Sequence, residues 1–389
     1  MFNVDFYVPT RVVFGNGRLD ELGEMKLPGK KALICITSDG IMEKMGILDR
    51  VQKLLAKNGV QYEVYNKIMP NPTKKGVMDA KEMALKTGCD FVIGLGGGSS
   101  IDTAKACAMM MKHDGDLWDY ASVGTGKQKE VTGAAPVVVI STTAGTGTET
   151  DPYCVITNEE TDEKIDFAQD ALFPVVSIID PELTMSLPKH LTIYQGFDGL
   201  FHALECYIVN QNSNRMVDVC ANESVSTVAK WLPTVVEDGS NKEARTNIMY
   251  AADILSGFTQ AMICTTSHHI IGQCLGGYFP EVAHGASLIV VAEEYYKKIK
   301  EFVPQALEDI GVMMGEAPVA GDKGQNFINA LTGLMDKTGV RNISMSEYGI
   351  KKEDLAKVAD MVVDVVGIDF DIYDLSKQDV LAIMEKSYR

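Results

Sequence analysis

The apolar residues of this chain change their period near Asp180, and that change restricts the fold more than any other feature. Before it, short runs of strand length and composition (residues 32–37, 61–65, 91–95, 137–141 and 175–179) alternate with stretches of helical spacing such as 41–58 and 75–87. Strand, helix and strand in succession predict parallel βαβ units, with ligands bound at the carboxyl ends of the strands. After residues 181–188, which read as a linker, the spacing is helical: 214–232, 242–260, 284–301, 324–336, 352–362 and 377–388. The expected fold class is therefore an α/β N-terminal domain with a parallel sheet, residues 1–183, followed by an all-helical C-terminal domain, 184–389. A chain of 389 residues suits two domains. An active site is expected where the halves meet. Residues 5–7 and 11–14 are expected to form a strand pair flanking the sheet.

The formal net charge of −17 disfavours a phosphate-backbone partner, and no basic block offsets it, so nucleic-acid binding is not expected. No apolar run reaches the length of a membrane span, and the first residues lack the basic and long apolar regions of a secretory signal. The eight cysteines (35, 89, 107, 154, 206, 220, 264, 274) form no CxxC pair and read as small core residues. The expected location is the reducing cytoplasm.

Within the first half, residues 91–105 read as a strand, the glycine turn Gly96-Gly97-Gly98-Ser99-Ser100, and the start of a helix. Glycines let the backbone approach an anion, and a helix start offers free N–H groups and a positive dipole end. A pyrophosphate cradle and a plain βα turn are both compatible with that pattern. After the next strand, Ser141-Thr142-Thr143-Ala-Gly-Thr146-Gly-Thr-Glu149 supplies hydroxyls for a nicotinamide or ribose, or is an ordinary polar loop. Asp39, after the first of the buried strands, either accepts from an adenosine 2′-OH, which favours NAD over NADP, or serves as a turn and cap residue.

The second half holds Asp198 and His202, four apart in a helical stretch and hence on one face. Of six histidines, His113 and His190 lie in lysine-flanked surface contexts, which leaves His202, His268, His269 and His284. Mixed N and O donors suit Fe(II), Zn(II), Mn(II) or Ni(II); buried structural histidines are the other reading. A set of one Asp and three His would fill a zinc tetrahedron, whereas an ion taking five or six ligands keeps room for substrate, which favours Fe(II).

Taken together, these segments resemble the iron-containing alcohol dehydrogenase family over almost the whole chain. The resemblance rests on residues 9–15, Asn71-Pro-Thr73, 96–105, 142–149, 180–184, 196–205, 267–275 and 283–286, in that order. It implies a dinucleotide-binding domain followed by a helical metal-binding domain, an architecture shared with dehydroquinate synthase-like lyases. It makes Asp198, His202, His269 and His284 the metal ligands, with His268 a neighbour. It places Asn71, Gly97, Gly98, Ser99, Asp102, Thr142, Thr143, Thr146 and Lys164 on the cofactor. One departure stands out: where the family commonly carries a histidine four residues after the third ligand, this chain has Gln273, which can hydrogen-bond but cannot titrate.

The expected activity is interconversion of a primary alcohol and its aldehyde by hydride transfer with NAD, dependent on Fe(II) or alternatively Zn(II). The catalytic set would be Asp198, His202, His269, His284 and Gln273. A homodimer or larger homo-oligomer is expected. The alternatives are a polyol or hydroxyacid dehydrogenase of the same fold, and a nucleotide-binding homologue with altered catalysis because of Gln273. A lyase would need basic residues around the metal motifs, and those stretches are nearly free of them. Arg215 is the one arginine close to them in sequence.

Overall fold

The computed structural model describes residues 4–211 and 213–389. These divide into two compact units: Val8–Ser186, and Leu187–Arg389 with the described N-terminal residues up to Tyr7.

Eight strands lie in the first unit: β1 (Arg11–Phe14), β2 (Lys31–Thr37), β3 (Gln61–Ile68), β4 (Phe91–Gly96), β5 (Val137–Ser141), β6 (Tyr153–Asn158), β7 (Glu163–Ala168) and β8 (Val176–Ile179). Six of them form one sheet in the order β1-β8-β5-β4-β2-β3, with every pairing parallel. Parallel strands covered on both faces need apolar residues at successive positions, and this sheet has them. Ala32, Ile34 and Ile36 of β2, Phe91 and Ile93 of β4, and Val138 and Ile140 of β5 enter one core. Leu33, Cys35, Val92, Val137 and Val139, the intervening residues, enter the core on the other face. That is why residues 32–37, 91–95 and 137–141 read as uninterrupted apolar runs rather than alternations.

The expected strand pair near the N-terminus does not form. Arg11–Phe14 joins the sheet edge as a parallel partner of β8, while residues 5–7 have no strand structure. Their bonding goes to the helical unit instead: the Asp5 carbonyl accepts from Asn214 Nδ2 at 2.8 Å, and the Phe6 ring packs edge-on against Phe258. The hairpin β6–β7 had no clear sequence signal. Its strands mix polar and apolar residues, and its turn contains Asp162 at φ 58° rather than a glycine.

The second unit is helical. Helices Lys189–Asn210, Arg215–Glu237, Ser267–Tyr278, His284–Ile299, Pro304–Met313, Gln325–Thr338 and Lys377–Ser387 make up most of it. The stretch read as one helix over 242–260 is interrupted by a π-helical turn, Tyr250–Leu255, between Lys242–Met249 and Ser256–Met262. Among the described residues, no helix is long and apolar enough to cross a membrane.

Candidate functional site

Two polar constellations stand out, one in each unit. In the first, β4 and β5 are adjacent and in register, with Gly96 opposite Ser141, so the loops leaving their carboxyl ends start side by side. The Thr142 amide donates to the Gly96 carbonyl at 3.0 Å. The contact then tightens. A Cβ on Gly97 would lie 2.7 Å from Thr143 Cγ2, and one on Gly98 would lie 2.9 Å from Thr146 Cγ2. Only glycine permits this approach. Helix Gly98–Met110 begins at that point, and no side chain caps its start. Ser100 Oγ and Thr143 Oγ1 are buried with no hydrogen-bond partner among the described residues. An uncapped helix start, a backbone stripped of Cβ atoms and two orphaned hydroxyls fit a phosphate-bearing cofactor.

Other expected cofactor residues are also located. Lys164 is buried, and its Nζ donates to Asn71 Oδ1 at 2.8 Å, joining two residues 93 positions apart. Asp39 follows β2, the neighbour of β4; its exposed carboxylate accepts from Ile41 N at 2.9 Å and from the Thr37 hydroxyl at 3.1 Å. Asp102 accepts from Thr148 Oγ1 at 2.9 Å and from Val155 N at 3.0 Å. Burial pushes its carboxyl up to about 6 against the pull of Lys105.

Lys105 itself is fully buried. Its Nζ donates to Thr148 Oγ1 (2.7 Å), the Asp151 carbonyl (2.8 Å) and carboxylate (3.2 Å), and the Tyr153 carbonyl (2.8 Å). The cation therefore fastens the glycine-turn helix to the Thr142–Thr148 loop and to β6. The sequence signal for this is a lysine set among small residues, in Thr103-Ala104-Lys105-Ala106-Cys107.

In the second unit, Asp198 and His202 lie one turn apart on helix Lys189–Asn210. His269 is in the first turn of helix Ser267–Tyr278, and His284 opens helix His284–Ile299. Gly285 allows the last approach, because a Cβ there would lie 2.2 Å from the Tyr194 carbonyl oxygen. Three imidazole nitrogens converge on one oxygen: the Nε2 atoms of His202, His269 and His284 stand 3.6, 3.5 and 3.5 Å from Asp198 Oδ1. His202 and His269 stack at 4.4 Å between ring centroids. Donor atoms of Asp198, His269 and His284 all lie within 4.8 Å of one another. These separations are long for hydrogen bonds and suit atoms sharing a cation. Asp198 Oδ1 and His269 Nε2 are buried with no hydrogen-bond partner among the described residues, which fits donors aimed at an ion.

Behind this cluster is Glu205, fully buried and one turn beyond His202. It accepts from His269 Nδ1 at 2.7 Å, and from Thr266 N and Oγ1 at 2.8 and 2.5 Å. That bond keeps a proton on Nδ1 and turns Nε2 toward Asp198. His268 points away from the cluster, with Nε2 bonded to the Leu288 carbonyl at 3.0 Å. Burial alone would raise the Asp198 carboxyl, but the surrounding imidazoles hold it down at about 2. Burial likewise opposes charge on His269, yet Glu205 and Asp198 outweigh it and raise the imidazole to about 9. Two buried carboxylates facing this histidine make a pocket of negative potential that favours a cation. Glu205 stood in the quoted motif without a role; an acid in a buried helical stretch was the available signal. Gln273 follows His269 by one turn, is 7% exposed, and its Oε1 has no hydrogen-bond partner among the described residues. Arg215 lies exposed at the start of its helix.

A glycine turn with an uncapped helix start on a parallel sheet, with a histidine–carboxylate cluster on a helical unit, fits the class of nucleotide-linked metalloenzymes. Comparison with known proteins makes the class specific. The iron-containing alcohol dehydrogenase family matches residues 9–181, and its C-terminal domain matches residues 192–388. The chain belongs to this family and is an oxidoreductase. It is 30% identical to a 1,3-propanediol dehydrogenase of Klebsiella pneumoniae over 99% of this chain and 98% of that protein. It is 29% identical to an alcohol dehydrogenase of Saccharomyces cerevisiae over 98% of both. The crystal structure of an archaeal halo-thermophilic alcohol dehydrogenase from a Red Sea brine pool superposes with TM-score 0.93 at 30% identity, covering 100% of this chain and 99% of that one.

Proposed function

We propose that this chain interconverts a primary alcohol and its aldehyde with NAD(H), using a divalent ion held by Asp198, His202, His269 and His284. The observation that carries this reading is the convergence of three Nε2 atoms on the one oxygen of Asp198 at 3.5–3.6 Å. Fe(II) is the proposed ion because four protein donors leave a five- or six-coordinate metal room for substrate; Zn(II) is the alternative. When bound, the ion supplies a Lewis acid for the alcohol oxygen, and the nicotinamide supplies the hydride acceptor. The chain's own residues bind and orient. Gly97, Gly98 and Ser99 take the pyrophosphate at the helix start, and Thr142, Thr143 and Thr146 take the nicotinamide half. Asn71 and Lys164 act as a pair, and Asp39 takes the adenosine ribose, the basis for preferring NAD to NADP. Asp102, engaged with Thr148 and Val155, serves by holding the loop. Glu205 fixes the tautomer of His269. Gln273 cannot accept a proton, so a proton leaving the alcohol would have to pass to water, a ribose hydroxyl or another group.

The eight cysteines are free and seven are buried, which supports a reducing, cytoplasmic setting. A symmetric homo-oligomer is the proposed assembly.

The test is NADH oxidation with a panel of aldehydes, run anaerobically on metal-stripped protein and then with Fe(II), Zn(II) or Mn(II) added back. Turnover restored by one ion is the expected result. The His284→Ala variant should lose metal uptake and turnover together; full activity in a metal-free His284→Ala protein would sink the mechanism.

A further inference from the structure

We infer that Glu149 is a positioning residue for the dinucleotide: as a neutral carboxylic acid it holds Thr143 and Thr146 against the glycine turn, and release of its proton weakens NAD(H) binding. The inference rests on the cofactor site proposed above.

Glu149 is fully buried, and its carboxyl meets hydroxyls of other residues. Oε1 lies 2.5 Å from Ser141 Oγ, and Oε2 accepts from Thr146 Oγ1 at 3.3 Å. Ser141 Oγ is also 3.1 Å from the Thr143 carbonyl oxygen. A serine hydroxyl carries one proton. If Glu149 is ionised, Ser141 faces two acceptors and serves one of them. If Glu149 is protonated, its O–H donates to Ser141 Oγ, Ser141 donates to the Thr143 carbonyl, and every bond in the chain is made. The neutral acid is therefore the state that satisfies this geometry.

Burial pushes the Glu149 carboxyl up to about 7 against the Ser141 contact, and Asp151 adds to the rise more than Lys105 offsets. Lys105, on helix Gly98–Met110, is itself engaged with Asp151. Asp102 on the same helix is a further acid, reached through the Thr148 hydroxyl. The strands beside Glu149 present Ser141 of β5 and Ser177 of β8, whose hydroxyl donates to the Glu149 carbonyl.

Thr143 and Thr146 are the side chains that close on Gly97 and Gly98. Glu149 holds the first through Ser141 and the second directly. Ionisation turns the Ser141 hydroxyl to the carboxylate and frees the Thr143 carbonyl. It also sets a buried negative charge beside Thr146, one side chain away from the helix start proposed to take the pyrophosphate. Like charges repel strongly where water is excluded, so the dinucleotide binds the protonated form. Linkage then requires binding to take up a proton wherever the free protein has lost it.

The experiment measures NADH binding to the metal-loaded protein from about pH 6.5 to about pH 9. Fluorescence titration gives the affinity, and calorimetry in two buffers of different ionisation enthalpy counts the protons taken up. Glu149→Gln and Glu149→Met are measured alongside. Glutamine keeps the shape of the neutral acid, a donor for Ser141 and an acceptor for Thr146, but does not titrate. In the parent, affinity should fall as pH rises, approaching about tenfold per unit at the alkaline end, with about one proton taken up per NADH there. Glu149→Gln should hold the parent's acid-side affinity within about threefold at every pH, with no proton uptake. Glu149→Met, which lacks both contacts, should bind roughly tenfold weaker and show no pH dependence either. A flat profile in the parent overturns the inference. So does a slope or proton uptake that persists in Glu149→Gln, or binding by Glu149→Gln that is weaker by about tenfold at the acid end. Should Glu149→Gln fail to fold, a slope that persists in Glu149→Met overturns it. If the parent binds no NADH at any pH, the proposed cofactor site fails on its own. Infrared difference spectra of the parent against the variants then decide the charge of Glu149, because the band of a protonated carboxyl appears at neutral pH only for the neutral acid.

Discussion

A single bond decides which way His269 faces. Its Nδ1 lies 2.7 Å from Glu205 Oε1, and the other carboxylate oxygen is held by the amide and hydroxyl of Thr266. In Glu205→Gln, one end of the side chain must present an NH2 group to a donor, either Nδ1–H or the Thr266 N–H. The substitution therefore disturbs the ring that supplies Nε2 while leaving its ligand atoms in the sequence. Partners of metal-bound histidines are worth about 10–100-fold in metal affinity. Chelator competition should show Glu205→Gln binding the ion weaker by that factor, with His269 still present. Unchanged affinity would mean that packing alone orients the imidazole.

At the scale of elements, the glycine turn works because a helix, a loop and a strand are locked together beneath it. Lys105 provides the lock. Its side chain and that of Asp151 are 0% and 1% exposed, so removing the cation leaves a buried carboxylate unpaired. Breaking a buried pair from one side costs about 3–5 kcal/mol. Lys105→Met, which keeps the length, should show that loss in urea denaturation, and NADH fluorescence titration should show weaker binding because the Thr143 and Thr146 contacts to Gly97 and Gly98 lose their support. A loss under about 1 kcal/mol would show that the charge is dispensable. The same elements mark how far the sequence could be read. Strands β2, β4 and β5 were visible because burial on both faces writes a continuous apolar run. Asp198 and His202 were visible because i and i+4 fix a shared face. Residues 5–7 were misread as a strand because local composition says nothing about whether a segment bonds to the sheet or to a distant helix, here through Asn214. Lys105 and Glu205 were missed for a related reason: a buried charge becomes interpretable only when its partners, up to 64 residues away in these cases, are brought beside it.

For the molecule as a whole, the proposed metal centre would also be a folding element. Its donors come from three helices, Lys189–Asn210, Ser267–Tyr278 and His284–Ile299, and these helices lie in one of the two compact units. An ion that binds only the folded arrangement adds RT ln(1 + [L]/Kd) to stability, about 2.7 kcal/mol at a hundredfold excess over Kd. For a helical unit of this size, 1 kcal/mol moves the melting temperature by about 2–4 °C. Adding Fe(II) anaerobically, or Zn(II), to metal-stripped protein should therefore raise the transition of the helical unit by roughly 5–10 °C, and chelation should reverse the shift. His284→Ala should shrink the response, because it removes one donor without disturbing Glu205 or the core behind it. Differential scanning calorimetry measures the shift. A metal-induced shift equal in the parent and in His284→Ala would mean that the ion stabilises the chain from somewhere other than this cluster.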